Sequence, residues 1–358
     1  MPVASGGTRI AQVLRMTRSS ARRAPRRYWW FVAGAALGLK AFVQYRRRVV
    51  FAGKNALVTG GSRGLGLEIA RVLLDKGAHI AIVARDADEL ERARQLLLEE
   101  APAGARVVAE VCDLRDIGSI APLLERLTAR LGPIDILVNN AGMIQVGPLD
   151  SMTRADFEEA MQLHYFAPLE LMLRVRDSMR ELGGGHIVNV ASVGGVVSVP
   201  HLLPYSGSKF ALVGLSRGMA AELAADGIRV MTVVPGLMRT GSPRNAIFKG
   251  EHAKEYAWFK LADSLPGLSV SSRRAARRIV RGIERGASDV AVGLPARLAE
   301  LATGVLPAAV AASLALVRRW LPDGSDPNRL TGAESEAHLV PPILTVLTDR
   351  AAVRNNET

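Results

Sequence analysis

The sequence predicts an α/β protein with a Rossmann-like, doubly wound parallel sheet of about seven strands. From residue 55 onward, short β-rich runs alternate with segments whose apolar residues recur at helical spacing. The β-rich runs are almost continuously apolar, as expected for strands that are buried on both faces. Because strands separated by helices imply right-handed crossovers, these two observations together predict a parallel sheet covered by helices on both sides.

The predicted strands are seven runs of five to seven residues that are rich in Val, Ile and Ala. In such sheets, ligands bind beyond the carboxyl ends of the strands, near the point where strand order reverses. We therefore expect the functional residues to follow directly after the strands. The runs lie at residues 56–60, 79–84, 106–111, 134–139, 186–192, 229–235 and 288–293.

The charge of the chain is concentrated at its N-terminus. The net charge is +12, and residues 1–54 contain 12 Lys and Arg but no Asp or Glu, so the remaining 46 − 12 = 34 basic residues balance the 34 acidic ones. This distribution argues against nucleic acid as a partner of the globular body. One cysteine, Cys112, excludes an internal disulfide, and the six histidines show no spacing typical of a metal site.

Residues 1–50 are predicted to form a basic arm and an apolar anchor helix. The apolar run 28–45, flanked by arginines, would span about 27 Å as a helix, just short of the roughly 30 Å hydrocarbon layer. We therefore expect an anchor in the membrane surface, with the catalytic domain on the cytoplasmic face. A cleaved signal peptide, a mitochondrial presequence in residues 1–27, and a helix packed on the protein itself remain alternatives.

Two further regions are expected after the anchor. Residues 51–295 are predicted to form the α/β domain that contains the sheet, and residues 296–358 an apolar helix followed by a polar C-terminal tail. The apolar run 301–317 is interrupted by Pro307, and it is consistent with a second membrane contact, a hydrophobic wall beside the cleft, or a core or lid helix. The tail is predicted to be rich in loops.

The first strand ends in "TGGSRGLG", residues 59–66, here called the glycine turn. Gly60, Gly64 and Gly66 permit a tight turn, close approach of backbone N–H groups to a pyrophosphate, and close helix packing. The helix that follows offers its positive N-terminal end. The turn lies between a predicted strand and a predicted helix, which is the context that a dinucleotide site requires.

The second strand predicts which nicotinamide cofactor binds. It ends with Ala84 and Arg85, where an NAD site usually has an acidic residue for the ribose hydroxyls. Arg85, together with Arg63, would pair with the 2′-phosphate of NADPH. The sequence thus favours NADPH over NADH.

The ordered set of motifs resembles the short-chain dehydrogenase/reductase family. It comprises the glycine turn, Asp113, "NNAG" (139–142), Ser192, "YSGSK" (205–209) and "PGLMRT" (235–240). The resemblance implies a Rossmann fold, a nicotinamide cofactor and hydride exchange with a carbonyl or an alcohol. The implied cofactor-binding residues are Gly60, Ser62, Arg63, Gly64, Leu65, Gly66, Arg85, Asp113, Asn140, Ala141, Gly142, Tyr205, Lys209, Pro235, Gly236 and Thr240.

Two Tyr-x-x-x-Lys pairs occur, Tyr205 with Lys209 and Tyr256 with Lys260. The family pattern places a serine thirteen residues before the tyrosine, and only the first pair has one, Ser192. The first pair is therefore the predicted catalytic site. The second pair, in "YAWFK", is expected on an amphipathic lid helix whose aromatic residues serve substrate contact or packing.

These residues suit hydride chemistry. Negative charge develops on a carbonyl oxygen that accepts hydride, and Tyr205 is predicted to deliver the proton to that oxygen. Lys209 lies one helical turn further on and would stabilise the phenolate needed for the reverse reaction, while Ser192 would hydrogen-bond the carbonyl oxygen.

His164 departs from the family pattern, which usually has an asparagine at this position that supports a water linking the lysine to solvent. Histidine also accepts and donates protons. We therefore count His164 as a candidate catalytic residue in a proton relay, with an ordinary helix histidine as the alternative.

The sequence thus predicts an NADPH-dependent oxidoreductase that interconverts a ketone and a secondary alcohol on a hydrophobic, lipid or steroid-like substrate. The alternatives are a 3-ketoacyl thioester reductase and, from another class, an NADPH-binding membrane scaffold or redox sensor with little turnover. The family often forms dimers or tetramers, so a homo-oligomer is also expected.

Overall fold

The computed structural model describes residues 49–264, 269–336 and 342–357. The basic arm and anchor helix predicted for residues 1–50 therefore lie almost wholly outside the described residues. From Val49 onward the described residues form one compact unit. The C-terminal region predicted as separate thus belongs to the same unit as the Rossmann core.

The central sheet has seven parallel strands, and they coincide with the seven predicted runs. In spatial order the strands are β7-β6-β5-β4-β1-β2-β3. The order in which successive strands join the sheet therefore reverses between β1 and β4, although all the strands are parallel. That reversal is the switch point at which ligands bind in open α/β sheets. The strands are β1 Asn55–Thr59, β2 His79–Ala84, β3 Val107–Val111, β4 Ile136–Asn139, β5 Gly185–Val190, β6 Ile228–Pro235 and β7 Asp289–Val292.

Helices cover both faces of the sheet. They include α1 Gly64–Asp75, α2 Ala87–Glu99, α3 Ile120–Leu131, α4 Arg154–Met161, α5 Ala167–Glu181, α6 Leu203–Glu222, α7 His252–Ser264 and α8 Ser272–Glu284. The side chains of β1 alternate between the two faces. Ala56 and Val58 pack in a core with α1, α2 and α8, whereas Leu57 packs in a second core with α3 and α5. Burial on both faces explains why the strands are almost entirely apolar.

A π-helical segment, Gln162–Phe166, joins α4 to α5. A capping box between Thr153 and Asp156 begins α4, and the chain then continues through the π segment into α5 without a break. Such segments are rare and often mark functional sites. Here the π segment carries His164, which is completely buried.

The apolar run 301–317 does not form a core helix. It is divided between α9, Leu294–Val305, and α10, Pro307–Arg318, because Pro307 cannot continue the hydrogen bonding of the preceding helix. α10 contains no buried residue and α9 only Ala296, so the core interpretation is wrong. Within the described residues no single helix is long and apolar enough to cross a membrane, although α9 and α10 together, bent by 120°, satisfy the length and composition.

The C-terminal tail is more ordered than the loop-rich region that the sequence predicts. Leu330–Thr331 pair with the short strand Ile247–Phe248, and α11, Pro342–Arg354, packs against α7. Thr348, Ala351 and Ala352 of α11 are buried. Tertiary packing therefore orders a segment whose polar composition indicated loops.

Candidate active site and cofactor-binding cleft

The glycine turn has a geometry that only glycine permits at several positions. Gly60 and Gly64 have φ of +62° and +59°, in the left-handed region. A Cβ on Gly66 would lie 2.1 Å from the carbonyl oxygen of Gly60, and one on Gly60 would lie 2.8 Å from the Cα of Ala141. Leu65 is buried beneath the turn. α1 begins at Gly64, so its free N–H groups and positive end face the cleft.

The "NNAG" motif ties the glycine turn to β4. The Asn140 side chain donates to the carbonyl oxygens of Thr59 and Gly60 at 3.1 and 3.2 Å, and the backbone N–H groups of Asn140 and Ala141 both donate to the Thr59 hydroxyl. Asn139 donates to Asn189 of β5 at 2.8 Å. The motif therefore holds the sheet together at the switch point. The predicted contacts of Asn140, Ala141 and Gly142 with the adenosine ribose stay predictions.

Arg63 and Arg85, which are predicted to determine the preference for NADPH, differ in their ion-pair partners. Arg63 forms an ion pair with Glu89 at 2.7 Å and donates to Asn245, and the Ser62 hydroxyl also bonds to Glu89. Arg85 is exposed and makes no ion pair within the described residues. Arg85 is thus the guanidinium available to a 2′-phosphate, whereas Arg63 already has a carboxylate partner.

Asp113, which follows β3, is held by a neighbouring arginine. Arg115 contacts both oxygens of its carboxylate, and this hydrogen bond lowers the pKa of Asp113. Arg115 also reaches Glu159 on α4. This pairing fixes the position of Asp113 at the edge of the cleft.

The predicted residues after β6 lie on the opposite side of the cleft. The Gly236 N–H donates to Val292 of β7 at 2.9 Å, which fixes the turn that begins at Pro235. Thr240 is buried, and its hydroxyl bonds to Ser242 at 2.6 Å. The next residue, Gly241, directs its N–H into the cleft, toward the carboxylate of Glu357.

Ser192, Tyr205 and Lys209 converge at the carboxyl end of β5. Tyr205 and Lys209 lie one turn apart on α6, and the Lys209 Nζ is 5.8 Å from the centre of the Tyr205 ring. A Cβ on Gly194 would lie 3.0 Å from the Tyr205 ring and 3.5 Å from the Ser192 Oγ, so a glycine there lets the two side chains approach. Lys209 is buried and donates to the carbonyl oxygen of Val190 at 2.9 Å.

Burial shapes the titration of this pair. It raises the pKa of Tyr205 to about 12, with a hydrogen bond from Ser192 acting in the opposite direction and the charge of Asp263 adding to the rise. Burial also lowers the pKa of Lys209 to about 7. The Tyr205 phenol therefore holds its proton across the physiological range, as a proton donor must.

His164 lies directly beside this pair. Its ring packs edge-on against Tyr205 with 5.5 Å between centroids, and the position of a Cβ on Gly142 would be 3.2 Å from His164 Nε2 and 3.7 Å from Lys209 Nζ. The Met143 N–H donates to Nε2 at 3.1 Å, so this nitrogen carries no proton, and Nδ1 bonds to the Ser208 hydroxyl at 2.7 Å. Burial and the Lys209 charge lower the pKa of His164 well below its usual value.

Both ring nitrogens of His164 are therefore engaged, and the ring is held neutral. A proton relay through His164 would require one of these two hydrogen bonds to break. The relay stays a prediction, and the geometry equally suits a residue that positions the loop after β4 against α6.

The second tyrosine–lysine pair is structural. Tyr256 and Phe259 are buried with Phe248, and the Tyr256 hydroxyl donates to Glu336 at 3.3 Å. Lys260 forms ion pairs with Glu336 and Asp349. The aromatic residues of "YAWFK" were expected to serve either substrate contact or packing. In the structure Tyr256 and Phe259 serve packing.

Sequence reasoning missed two groups at the site. Asp263, near the end of α7, is buried close enough for its charge to affect Tyr205, and burial raises the pKa of its carboxyl to about 8. Residues 355–357 reach the glycine turn: the Gly64 N–H donates to the Asn355 carbonyl oxygen at 3.0 Å, and the Glu357 carboxylate accepts from Gly241. No local motif marks either group, because both reach the site only through the packing of α7 against α11.

The cleft fits the anionic part of a nicotinamide cofactor. The Glu357 carboxylate stands in for phosphate oxygens there, since one of its oxygens lies 3.1 Å from the position of a Cβ on Gly64 and the other accepts the Gly241 N–H. A carboxyl group thus lies beside the glycine turn and accepts one backbone N–H, that of Gly241, where a dinucleotide phosphate would accept N–H groups at the start of α1. Arg85 lies free nearby for a further phosphate.

Comparisons with known proteins agree with this geometry. Residues 54–247 match the family model for short chain dehydrogenases. A fatty acyl-CoA reductase of Acinetobacter baylyi is 35% identical over 190 residues, 52% of this chain and 63% of that protein. A 3alpha-hydroxysteroid dehydrogenase of Mediterraneibacter gnavus is 32% identical over 187 residues, 52% of this chain and 74% of that protein.

A similar solved structure is that of a variant of actinorhodin polyketide ketoreductase with NADPH. It is 30% identical to this chain, superposes with a TM-score of 0.59, and covers 67% of this chain and 95% of its own. The family match over residues 54–247 includes the glycine turn and the Ser192–Tyr205–Lys209 cluster.

Proposed function

We propose that this protein is an NADPH-dependent ketone reductase for a hydrophobic substrate. The chain belongs to the short-chain dehydrogenase/reductase family and is thus an NAD(P)-dependent oxidoreductase acting on CH–OH groups. The observation that carries the proposal is the convergence of Ser192, Tyr205 and Lys209 at the carboxyl edge of the sheet, beside the glycine turn. This arrangement places a proton donor next to a dinucleotide cleft.

Each residue of the Ser192–Tyr205–Lys209 cluster has a separate role in the reduction of a carbonyl group. When bound, the nicotinamide cofactor supplies the hydride. Ser192 orients the carbonyl oxygen, and Tyr205 delivers a proton to that oxygen as negative charge develops on it. Lys209, cationic at or below neutral pH, stabilises the phenolate left on Tyr205. The glycine turn and Arg85 hold the phosphates, and the free guanidinium of Arg85 favours NADPH.

The preference for a hydrophobic substrate is supported by the segment that follows Ser192. Residues 193–199 contain Val193, Val196, Val197 and Val199, and Val196 packs with Ala296 of α9. A run of apolar side chains, of which Val196 is buried and the other three valines are half-buried, thus connects Ser192 with α9.

We also propose that α9 and α10 dock on a membrane with the catalytic domain at the cytoplasmic face. Leu294, Leu298, Leu301 and Val305 follow each other at helical spacing along α9 and are 56–73% exposed. Large exposed apolar patches mark interaction sites. The predicted anchor, residues 28–45, would act together with this pair.

A basic surface adjoins the apolar stripe. Arg297 lies one turn from both Leu294 and Leu301, and its charge reaches Arg278 on α8. The exposed arginines of this surface make no ion pair within the described residues, which suits an anionic lipid surface. They are Arg273, Arg274, Arg277, Arg278, Arg281, Arg285 and Arg297.

The same arginines favour a second candidate, a 3-ketoacyl thioester reductase. An acyl-carrier partner is acidic, and α8 begins beside the cleft, where Ser272 contacts Asn355. A basic surface near the cleft is the feature that such a carrier would need.

The enzymatic test is cofactor oxidation by the detergent-purified chain over a panel of lipid, steroid, acyl-thioester and small aromatic ketones. We expect turnover of an apolar ketone with NADPH, and Arg85→Asp to weaken NADPH selectively over NADH. Arg94→Asp is the matched control, because Arg94 is paired with Glu91 outside the cleft. Turnover restricted to carrier-bound thioesters would favour the second candidate, and equal loss of both cofactors in Arg85→Asp would refute the NADPH assignment.

The membrane test is sedimentation of the chain with anionic vesicles. The double variant Leu298→Asp with Leu301→Asp should reduce binding of the chain to the vesicles. The reduction should also appear in a background in which Trp29→Asp with Leu37→Asp has removed the predicted anchor. Leu182→Asp is the control, because Leu182 is an exposed leucine at the end of α5. Unchanged sedimentation of the α9 variant in the anchor-free background would contradict docking through α9.

A further inference from the structure

The glycine turn contacts the chain's own C-terminal region. Residues 355–357, here called the terminal segment, follow α11 and run across the turn. The Gly64 N–H donates to the Asn355 carbonyl oxygen at 3.0 Å. The Asn356 side-chain amide donates to the carbonyl oxygens of Ser62 and Glu89 at 2.9 and 3.0 Å.

The terminal segment is built into the cleft rather than resting on its surface. Asn355 is 0% and Glu357 is 7% exposed. The Asn355 side chain donates to the Ser272 hydroxyl at 3.0 Å, and the Glu357 carboxylate accepts from the backbone N–H of Gly241. The segment therefore bridges the two sides of the cleft, from the turn after β1 to the loop after β6.

These contacts use the groups that a dinucleotide phosphate needs. Backbone N–H groups at the start of a helix bind phosphate oxygens, and the Gly64 N–H is such a group. The Glu357 carboxylate lies over Gly64, within 3.1 Å of where a Cβ would be. A pyrophosphate and this carboxylate cannot occupy that volume together.

We propose that the terminal segment competes with the pyrophosphate of the cofactor, so that the chain closes its own cofactor site and releases residues 355–357 when NADPH binds. This inference rests on the proposed function, since it requires a dinucleotide as the competing ligand. Release would open the turn and remove the Glu357 carboxylate from the neighbourhood of Asp263 at the same time.

The arrangement is suited to release because it concentrates acidic groups. The charge of Glu357 adds to the rise in the pKa of Asp263, and Glu357 itself lies near the carboxylate of Glu89, with Arg63 as the opposing cation. Burial raises the pKa of Glu357 to about 7, so holding its charged form in the cleft is unfavourable. A dinucleotide phosphate, which can accept several backbone N–H groups at the start of α1, would therefore displace a carboxyl group that accepts only the Gly241 N–H.

The test measures the dissociation constant of NADPH by fluorescence titration. The variants are a chain that ends at residue 354, Asn356→Ala and Glu357→Gln, and the control is Asp323→Asn, the same type of charge removal at an exposed site. If the segment is docked in about 90% of molecules, truncation should tighten NADPH binding about tenfold. Asn356→Ala should tighten it by a smaller factor, and the control should leave it unchanged.

A second measurement follows the segment itself by hydrogen exchange. NADPH should accelerate exchange in the peptide that contains residues 351–357 of the full chain. An unchanged dissociation constant together with unchanged exchange would overturn the proposal. Weaker NADPH binding by the truncated chain would also overturn it, because the segment would then be part of the cofactor site.

Failure of the proposed function gives a different result. If neither the full nor the truncated chain binds NADPH or NADH, both the function and the competition are wrong. If the full chain binds NADPH and truncation has no effect, only the competition is wrong.

Discussion

The two tyrosine–lysine pairs share their spacing but not their surroundings. Lys209 Nζ lies 5.8 Å from the Tyr205 ring, and Lys260 Nζ lies 5.5 Å from the Tyr256 ring. Each pair lies within one turn of its helix, Tyr205 and Lys209 on α6 and Tyr256 and Lys260 on α7. The helical spacing alone therefore sets the distance between the ring and the ammonium group in both cases.

The difference lies in what else contacts each lysine. Burial alone would lower the pKa of Lys260, but its hydrogen bonds and ion pairs with Glu336 and Asp349 raise it. Within the part of the chain that the structure describes, Lys209 has no carboxylate partner, and burial lowers its pKa to about 7. A lysine neutralised by carboxylates stabilises the fold, whereas one without them can act on a neighbouring phenol.

The largest expected effect separates the two tyrosines. Tyr205→Phe removes the only proton donor proposed at the reacting oxygen, and general acid–base groups contribute about 10²- to 10⁴-fold, so turnover should fall by that factor. Tyr256→Phe removes only the hydrogen bond to Glu336 and should leave turnover within about twofold. Steady-state kinetics on the same ketone gives both numbers. Comparable losses of turnover in the two variants would contradict the assignment of Tyr205 as the catalytic tyrosine.

The two lysines should separate activity from stability. Lys209→Met should lower turnover about 100-fold, because the phenolate loses its neighbouring cation. Lys260→Met should leave turnover intact and lower the free energy of unfolding by about 1 kcal/mol, since the partners Glu336 and Asp349 are partly exposed and screened. Turnover and urea denaturation measured on both variants test this, and the reverse assignment of effects would contradict it.

The pH dependence should sharpen the contrast further. Alcohol oxidation requires the Tyr205 phenolate, and with the pKa of Tyr205 raised to about 12 the phenolate fraction grows about tenfold per pH unit up to that value. Oxidation should therefore rise from pH 7 to 10, whereas ketone reduction, which uses the neutral phenol beside the Lys209 cation, should fall above about pH 7 as Lys209 loses its proton. Tyr256→Phe should leave both profiles unchanged. An oxidation rate that levels off below pH 9 would show that bound ligands lower the pKa of Tyr205.

The sequence was sufficient for the parts of the molecule that depend on local pattern. The seven strands could be located because their burial on both faces makes them apolar, and Ser192 could be placed because the family that the sequence resembles has a serine thirteen residues before the tyrosine. The glycine turn could be located because its glycines lie between a strand and a helix, and the positive φ of Gly60 and Gly64 explains why glycine is needed there. These features are encoded by neighbours in the chain.

The remaining features depend on contacts between distant residues. Glu357 reaches Gly241 across 116 positions, and nothing in "RNNET" indicates an anion at the glycine turn. The exposure of α9 and α10 was equally hidden, because an apolar run looks alike whether it faces a core or a surface. Composition predicts that a segment is apolar, but only packing decides what covers it.

The smallest expected effect concerns His164, which packs edge-on against Tyr205 at 5.5 Å between ring centroids, whereas the ring in the same arrangement beside Tyr256 is the apolar Phe248. His164→Asn keeps an acceptor for the Met143 N–H and should preserve turnover within a few fold. His164→Ala leaves that buried N–H and the Ser208 hydroxyl without their partner, so turnover should fall about tenfold while the NADPH dissociation constant is retained. Turnover against pH distinguishes the two roles: a relay would shift the profile in both variants, whereas a positioning residue is rescued by asparagine with its profile unchanged. Unaltered turnover in His164→Ala would remove His164 from either role.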